Sequence, residues 1–276
     1  MGDKPARLAI VAGGGALPDM LIAACRHRGQ DALVVAIEGQ ADPDWCSATA
    51  HATLRLGEFD KLVRLLREAK ADALVFAGKI RRPPLRSIRL DWRSARVLAG
   101  LVLRGTLGDD AVASAVVRSF EREGFRIVAP HELLGETVAI GPLGRVSPSP
   151  EQERDIARGV RAAREIGRLD IGHAVVVQDG AVIAVEGAEG TDALIRRCAA
   201  LPRGGSRGIL VKMAKPQQDR RVDPPTIGCD TVAHAGAVGF SGIAFEADRT
   251  LVVDLPAMIR AADVAGLFLV GLDPGA

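Results

Sequence analysis

"RLAIVAGGGALPDMLIAACRHRG", residues 7–29, passes from an apolar run through three glycines into a second apolar pattern. Residues 7–12 read as a short buried strand that runs into Gly13, Gly14 and Gly15, and "LPDMLIAACRHRG" follows with helical spacing and a glycine stop. The same alternation continues outward. "DALVVAIEG" (31–39) is a second strand, "EFDKLVRLLREAKA" (58–71) an amphipathic helix, and "DALVFAGKI" (72–80) a third strand. After a basic stretch come helical patterns over 91–105 and 109–124, then the strand "FRIVAP" (125–130). This order predicts a Rossmann-like α/β domain, a doubly wound parallel sheet whose ligand loops lie at the carboxyl ends of its strands.

Residues 135–150, "GETVAIGPLGRVSPSP", lose the periodicity and collect glycine, proline and serine. They predict a linker between a Rossmann-like domain of residues 1–134 and a C-terminal domain of residues 151–276. A helix opens near Glu151 with Ser149 as its cap. Beyond it, "HAVVVQDGAVIAVEG" (173–187) is two apolar runs about Asp179-Gly180, a strong hairpin signal. "TDALIRRCAAL" is a helix, "GILVKMAKP" a strand, "TVAHAGAVG" a helix and "GIAFEADRTLVVD" a second hairpin; a last helix and strand close the chain. The second domain is therefore mixed α/β with antiparallel elements.

Composition excludes several classes. Of 276 residues, 48% are apolar and 25% charged, enough to bury a sizeable core. A formal net charge of +2 argues against a general nucleic-acid binder, and 3% aromatics without tyrosine offer no stacking platform. Cys25, Cys46, Cys198 and Cys229 are too far apart in sequence for a zinc site or disulfide framework, which points to reduced thiols in a reducing compartment. The start lacks the long apolar segment of a signal peptide. No run approaches the roughly 18 apolar residues of a membrane helix; "ARVLAGLVLRG" (95–105), bounded by arginines, is the nearest. The expectation is a cytoplasmic protein that can still touch a membrane surface.

Several motifs carry chemistry. Glycines after a first strand let backbone N–H groups approach a phosphate at a helix start, so Gly14 and Gly15 are candidate ligand contacts. The dinucleotide spacing fails, because Pro18 stands where the third glycine belongs. "GKIRRPPLRSIR" (78–89) ends the third strand, where Lys79 and Arg81 could clamp phosphate; a solvated basic loop is the competing reading. Asp109 and Asp110 open a helix, where capping alone would explain one of them. "VEGAEGTDALIRR" sets Glu186 at a hairpin end, with Glu189, Thr191 and Asp192 in a turn that either caps a helix or wraps a ligand or Mg²⁺. No histidine pair has metal-binding spacing and no serine or cysteine nucleophile stands in a recognisable setting. The strongest stretch is "KPQQDRRVDPPTIG" (215–228), where polar groups crowd behind an apolar strand and Pro224 and Pro225 stiffen the backbone that presents Asp223.

These blocks, "LDIGHAVVVQDGAVIAVEGAEGTDALIRR", "GILVKMAKPQQDRRVDPPTIG" and "GLFLVG", together with "GGGALP", "GKIRRP" and "GDDAV" in the first half, resemble the LpxI family of UDP-2,3-diacylglucosamine pyrophosphatases across essentially the whole chain. The chain departs from the family pattern at His173, where Gln is expected, and at Pro224, where Leu is expected. The resemblance implies Mg²⁺-dependent hydrolysis of UDP-2,3-diacylglucosamine to UMP and 2,3-diacylglucosamine 1-phosphate (lipid X), with water attacking the sugar-side phosphorus and the substrate held between two domains. On that reading Asp223 holds the metal or orients water, with Asp219 and Lys215 beside it in the catalytic group. Asp223, Glu189 and Asp192 are the candidate metal ligands. Gly14, Gly15, Lys79, Arg81, Thr191, Lys212, Gln218 and Arg220 are the candidate substrate contacts. Contact with the cytoplasmic face of an inner membrane and a homodimer are both compatible with it. A nucleotide-sugar-binding sensor and a nucleotide-dependent oxidoreductase are the alternatives from other classes.

Overall fold

The computed structural model describes residues 7–41, 52–80, 90–103, 109–135, 138–201, 207–222, 224–273 and 275; the side chains of Asp109 and Asp110 are outside that description. Asp223 and Arg81 therefore lie outside the described residues. The chain divides into two compact units. One comprises residues 1–135 with Asp219–Asp223, the other residues 136–218 and 224–276.

In the N-terminal unit, β1 (Leu8–Ala12), β2 (Ala32–Ile37), β3 (Ala52–Leu54), β4 (Ala73–Ala77) and β5 (Arg126–Ile127) form a wholly parallel sheet in the order β3-β2-β1-β4-β5. This is the Rossmann-like arrangement expected from the alternation. Helices α1 (Leu17–His27), α2 (Phe59–Glu68), α3 (Trp92–Leu103), α4 (Asp109–Arg122) and α5 (Pro130–Leu134) complete it. β1 is buried along its whole length, as a central parallel strand must be. Val35, Leu66, Leu74 and Phe120 build one core, and Phe59 lies 4.6 Å from Phe120 between ring centroids. Val222 packs against this core.

The C-terminal unit has a six-stranded mixed sheet in the order β6-β13-β11-β9-β7-β8. Its strands are β6 (Gly141–Pro142), β7 (Ala174–Gln178), β8 (Ala181–Val185), β9 (Ile209–Lys212), β11 (Gly242–Glu246) and β13 (Phe268–Leu272). β9, β11 and β13 are mutually parallel, whereas β7, β8 and β6 run antiparallel to their neighbours. Helix α6 (Pro150–Arg168) covers one face, with Ile156, Val160 and Ala163 packed on Val175, Val211 and Phe268. Gly159 permits that close approach, since a Cβ there would stand 2.5 Å from Val211. The opposite face is covered by α7 (Thr191–Arg197), α8 (Cys229–Ala237) and α9 (Leu255–Ala265), whose Leu194, Val232 and Met258 join Val176, Leu210 and Phe245.

Local signals act as expected at the start of α6 and in the turn between β7 and β8. The Ser149 hydroxyl accepts from the Gln152 N–H at 3.4 Å, and the Gln152 side chain accepts from the Ser149 N–H at 2.8 Å, a reciprocal cap. Asp179 and Gly180 both take positive φ, as a two-residue hairpin turn requires. The second expected hairpin does not form. A single 3₁₀ turn follows β11, and β12 (Leu251–Val252) pairs in parallel with β10 (Thr226–Ile227) instead. The reason is that both edges of β11 are already taken, by β9 and β13.

Candidate active site

One end of the C-terminal sheet gathers polar side chains from four strand ends. Lys212 ends β9 and Glu246 ends β11, which run parallel, so both emerge at the same edge. β7 and β8 are antiparallel to each other, so His173 just before β7 and Glu186 just after β8 arrive at that edge as well. The Glu186 N–H donates to the Ala174 carbonyl at 2.8 Å and closes the arrangement.

The side chains there are buried and paired. Glu186, 3% exposed, accepts from the Thr191 hydroxyl at 2.8 Å and from the His173 backbone N–H at 3.0 Å, and its carboxylate lies 3.4 Å from His173 Nε2. Lys212, 4% exposed, donates to Thr191 Oγ1 at 3.1 Å and to the Thr226 carbonyl at 2.8 Å. Lys215 Nζ donates to Asp170 Oδ1 at 2.6 Å. A buried ion is costly unless its partners are fixed, and each of these ammonium groups has such partners. Burial first, then the positive charges of Lys212 and Lys215, pushes the His173 pKa well below its ordinary value, so its ring is neutral at pH 7. His173 Nδ1 is buried without a hydrogen-bond partner.

The segment behind β9 is a stitched loop rather than a solvated one. Met213 N–H donates to the His173 carbonyl at 2.9 Å, and Ala214 N–H to Glu246 Oε2 at 2.9 Å. Lys215 N–H donates to the Gln218 side-chain oxygen at 3.2 Å, and the Gln217 amide donates to the Gly167 carbonyl at 2.7 Å. Lys215 and Gln218 are both buried.

Of the expected site residues, Thr191, Lys212, Lys215 and Gln218 come together here. Glu189 instead pairs with Arg197 at 3.0 Å, and Asp192 lies 3.6 Å from His234 Nδ1. Asp219 and Arg220 fall in the segment grouped with the N-terminal unit. Arg221 grips Asp219 through Nε at 2.9 Å and Nη2 at 2.7 Å, holds the carboxyl below the usual carboxylate range, and reaches Glu121 Oε1 at 2.7 Å. A carboxylate held by a fork-shaped cation is a weaker base than a free one. Arg220 lowers the pKa of His131, after the larger effect of desolvation.

At the glycine turn the amides of Gly13 and Gly14 are already used. Gly13 N–H donates to the Ala77 carbonyl at 2.7 Å, and Gly14 and Lys79 exchange backbone hydrogen bonds at 3.0 and 2.8 Å. A Cβ on Gly78, whose φ is +92°, would stand 2.4 Å from the Gly14 oxygen. These glycines serve the contact between two strand ends. Gly15, at φ +93°, serves the turn itself.

Sequence reasoning left Glu246 and Asp170 unread and did not count Glu186 among the site residues. The signal for Glu246 was present: an acid closing the otherwise apolar strand "GIAFE". For metal binding, no three His, Cys, Asp or Glu side chains come together among the described residues. Mg²⁺ commonly needs only one or two carboxylates when substrate phosphates supply the rest, and the partly exposed Asp192 fits that mode.

Comparison with known proteins agrees with this architecture. Residues 7–137 match the LpxI N-terminal domain and residues 139–270 the LpxI C-terminal domain. UDP-2,3-diacylglucosamine pyrophosphatase LpxI of Caulobacter vibrioides is 45% identical over 275 residues, covering 97% of this chain and 98% of that protein. Among solved structures, the ADP complex of N5-carboxyaminoimidazole ribonucleotide synthetase covers 62% of this chain and 32% of its own, at 15% identity and a TM-score of 0.24. The Staphylococcus aureus N5-carboxyaminoimidazole synthetase covers 66% and 41%, at 13% identity and a TM-score of 0.21. Likenesses so low carry no argument. The match of both domain models and the identity over nearly the full length do, and the chain belongs to the LpxI family.

Proposed function

We propose that this protein hydrolyses the pyrophosphate of UDP-2,3-diacylglucosamine, giving UMP and 2,3-diacylglucosamine 1-phosphate in lipid A biosynthesis. The reading rests on family membership, and the observation within the molecule that best supports it is the pair of buried ammonium groups, Lys212 and Lys215, whose charge is felt at His173. A pyrophosphate ester needs positive potential on its oxygens as charge develops, and a preformed buried cation supplies it without reorganisation. Thr191 and the Thr226 carbonyl fix the Lys212 ammonium, and Asp170 fixes that of Lys215. Glu186 orients Thr191 and His173, whose ring is neutral.

In the proposed step, a water oxygen bonds to the sugar-side phosphorus and the bond from that phosphorus to the bridging oxygen breaks. The bridging oxygen leaves with UMP. Asp223 orients the water or holds Mg²⁺, and Glu189 and Asp192 are the other candidate metal ligands. Mg²⁺, when bound, neutralises charge on the pyrophosphate oxygens. A cytoplasmic location accompanies this reading.

The test is an assay of the purified chain with UDP-2,3-diacylglucosamine in ¹⁸O-water, with and without EDTA. The expected result is stoichiometric UMP and lipid X, label in lipid X, and activity lost on chelation and restored by Mg²⁺. Absence of turnover with Mg²⁺ present would refute the activity. Label confined to UMP would reverse the direction of attack, and full turnover after exhaustive chelation would remove the metal.

A further inference from the structure

Helix α3 is the least covered apolar element of the N-terminal unit. Its sequence, "WRSARVLAGLVL", is apolar on most sides, yet only Leu101 is buried. Its N-terminal end is fastened. Asp91 caps it by accepting from Ser94 N–H at 2.9 Å, the Ser94 hydroxyl donates to the Gly57 carbonyl at 2.9 Å, and Arg93 pairs with Asp60 at 2.9 Å. The rest presents one exposed stripe at helical spacing: Trp92, Arg96, Ala99 and Leu103. Trp92 is 75% exposed, Leu103 87%, and the adjacent Val102 53%. An apolar helix in contact with water over most of its length carries a standing cost, and only an apolar partner removes it.

Charge says which partner. The protein is nearly neutral overall, but the sequence from Lys79 to Gly108 sets its lysines and arginines against one acid, Asp91. A protein partner would have to be acidic and apolar at once, whereas an anionic bilayer presents both features at one surface. Tryptophan at one end of an exposed apolar stripe, with cations beside it, is the composition of a helix lying in the headgroup region. No helix among the described residues is long and apolar enough to cross a membrane, so the contact is with the surface.

We infer that α3 docks the protein on an anionic bilayer, with Trp92, Val102 and Leu103 entering the interface and Arg96 meeting lipid phosphates. The inference draws on the proposed function only in that the substrate is a lipid. The test uses no substrate, so the two can fail separately. The full chain is sedimented with phosphatidylethanolamine vesicles containing phosphatidylglycerol, and with phosphatidylcholine vesicles. Trp92 emission is followed in the Trp45→Phe background.

Binding to the anionic vesicles alone is expected, with a blue shift of Trp92. Leu103→Asp should weaken binding about tenfold or more, because burying an exposed leucine is worth at least that factor. Arg96→Glu should weaken it less, and in a salt-dependent way. Both variants alter exposed side chains, and hydrolysis of detergent-dispersed substrate should be unchanged. No binding by the parent chain, or undiminished binding by Leu103→Asp, would overturn the inference. So would a Leu103→Asp defect confined to KM for long-chain substrate, which would make the stripe an acyl subsite. A change of oligomeric state with vesicle binding intact would make it a subunit interface instead.

Discussion

At the carboxyl ends of β1 and β4 the chain brings backbone against backbone; at one end of the C-terminal sheet it brings buried charge against buried charge. Both places lie where α/β proteins put ligand loops, and both are conspicuous in the sequence. In the first, Gly13 and Gly14 donate their amides to the Ala77 and Lys79 carbonyls. In the second, Glu186, Lys212, Lys215 and Glu246 are all buried. Glycine enrichment thus reports close packing as readily as phosphate binding. Buried, partnered ions are costly to assemble and mark the place where the chain has paid for polarity.

If the charged end is the catalytic one, changes there should act mainly on rate, and changes at the glycine contact mainly on stability. The largest effect is expected at Asp223, which the family resemblance makes the water-orienting or metal-holding carboxylate. Asp223→Ala should lower kcat by roughly 10²–10⁴, the range for losing a positioned acid–base group, with substrate still bound. Equilibrium binding of intact substrate, measured beside single-turnover rates, checks both halves. Near-normal turnover would move the role elsewhere.

Next in size is Gly78→Ala. Its φ of +92° disfavours any side chain, and the new Cβ would strike the Gly14 oxygen at 2.4 Å. A loss of about 2–4 kcal/mol in stability is expected from left-handed strain and overpacking together. Denaturant unfolding measures it. If the variant is as stable as the parent but has lost activity, the glycine contact belongs to the site after all.

Smallest is a pH effect at His173. Its folded pKa is depressed, so as pH falls the unfolded chain takes up the proton first. The stability given by the neutral ring is present above about pH 6.5 and is lost as pH drops toward the folded value, at up to ~1.4 kcal/mol per pH unit. His173→Gln should flatten that slope in unfolding curves between neutral and mildly acidic pH. The His131 pKa is also depressed, so it acts in the same direction and will leave part of the slope in place. An unchanged slope would mean that His173 has the same pKa in the folded and the unfolded protein.

Much of the fold was legible because its signals are local. The Asp179-Gly180 turn, the Ser149 cap and the strand–glycine–helix opening each need only a few neighbouring residues. The partner of "LVVD" (251–254) was not legible, since the edges available to it depend on β9 and β13, far away in sequence. β3 is three residues without strong alternation and passed unread. At the site, Thr191, Lys212, Lys215 and Gln218 could be picked out because they crowd near turns. Glu186 and Glu246 stood among 34 acidic residues, and what separates them is burial, which arises only when four strand ends meet.

On the proposed function, the buried cations at the end of the C-terminal sheet stabilise cleavage of the pyrophosphate. Lys212→Met tests it most directly, since it keeps the length of a buried side chain while removing the ammonium that holds Thr191 and the Thr226 carbonyl. With folding verified by circular dichroism, UMP release from UDP-2,3-diacylglucosamine under Mg²⁺ should fall by roughly 10²–10³ in kcat, the scale for losing one electrostatic stabiliser. Turnover within a few-fold of the parent in a folded Lys212→Met protein would mean that the Lys212 ammonium does not stabilise the cleavage.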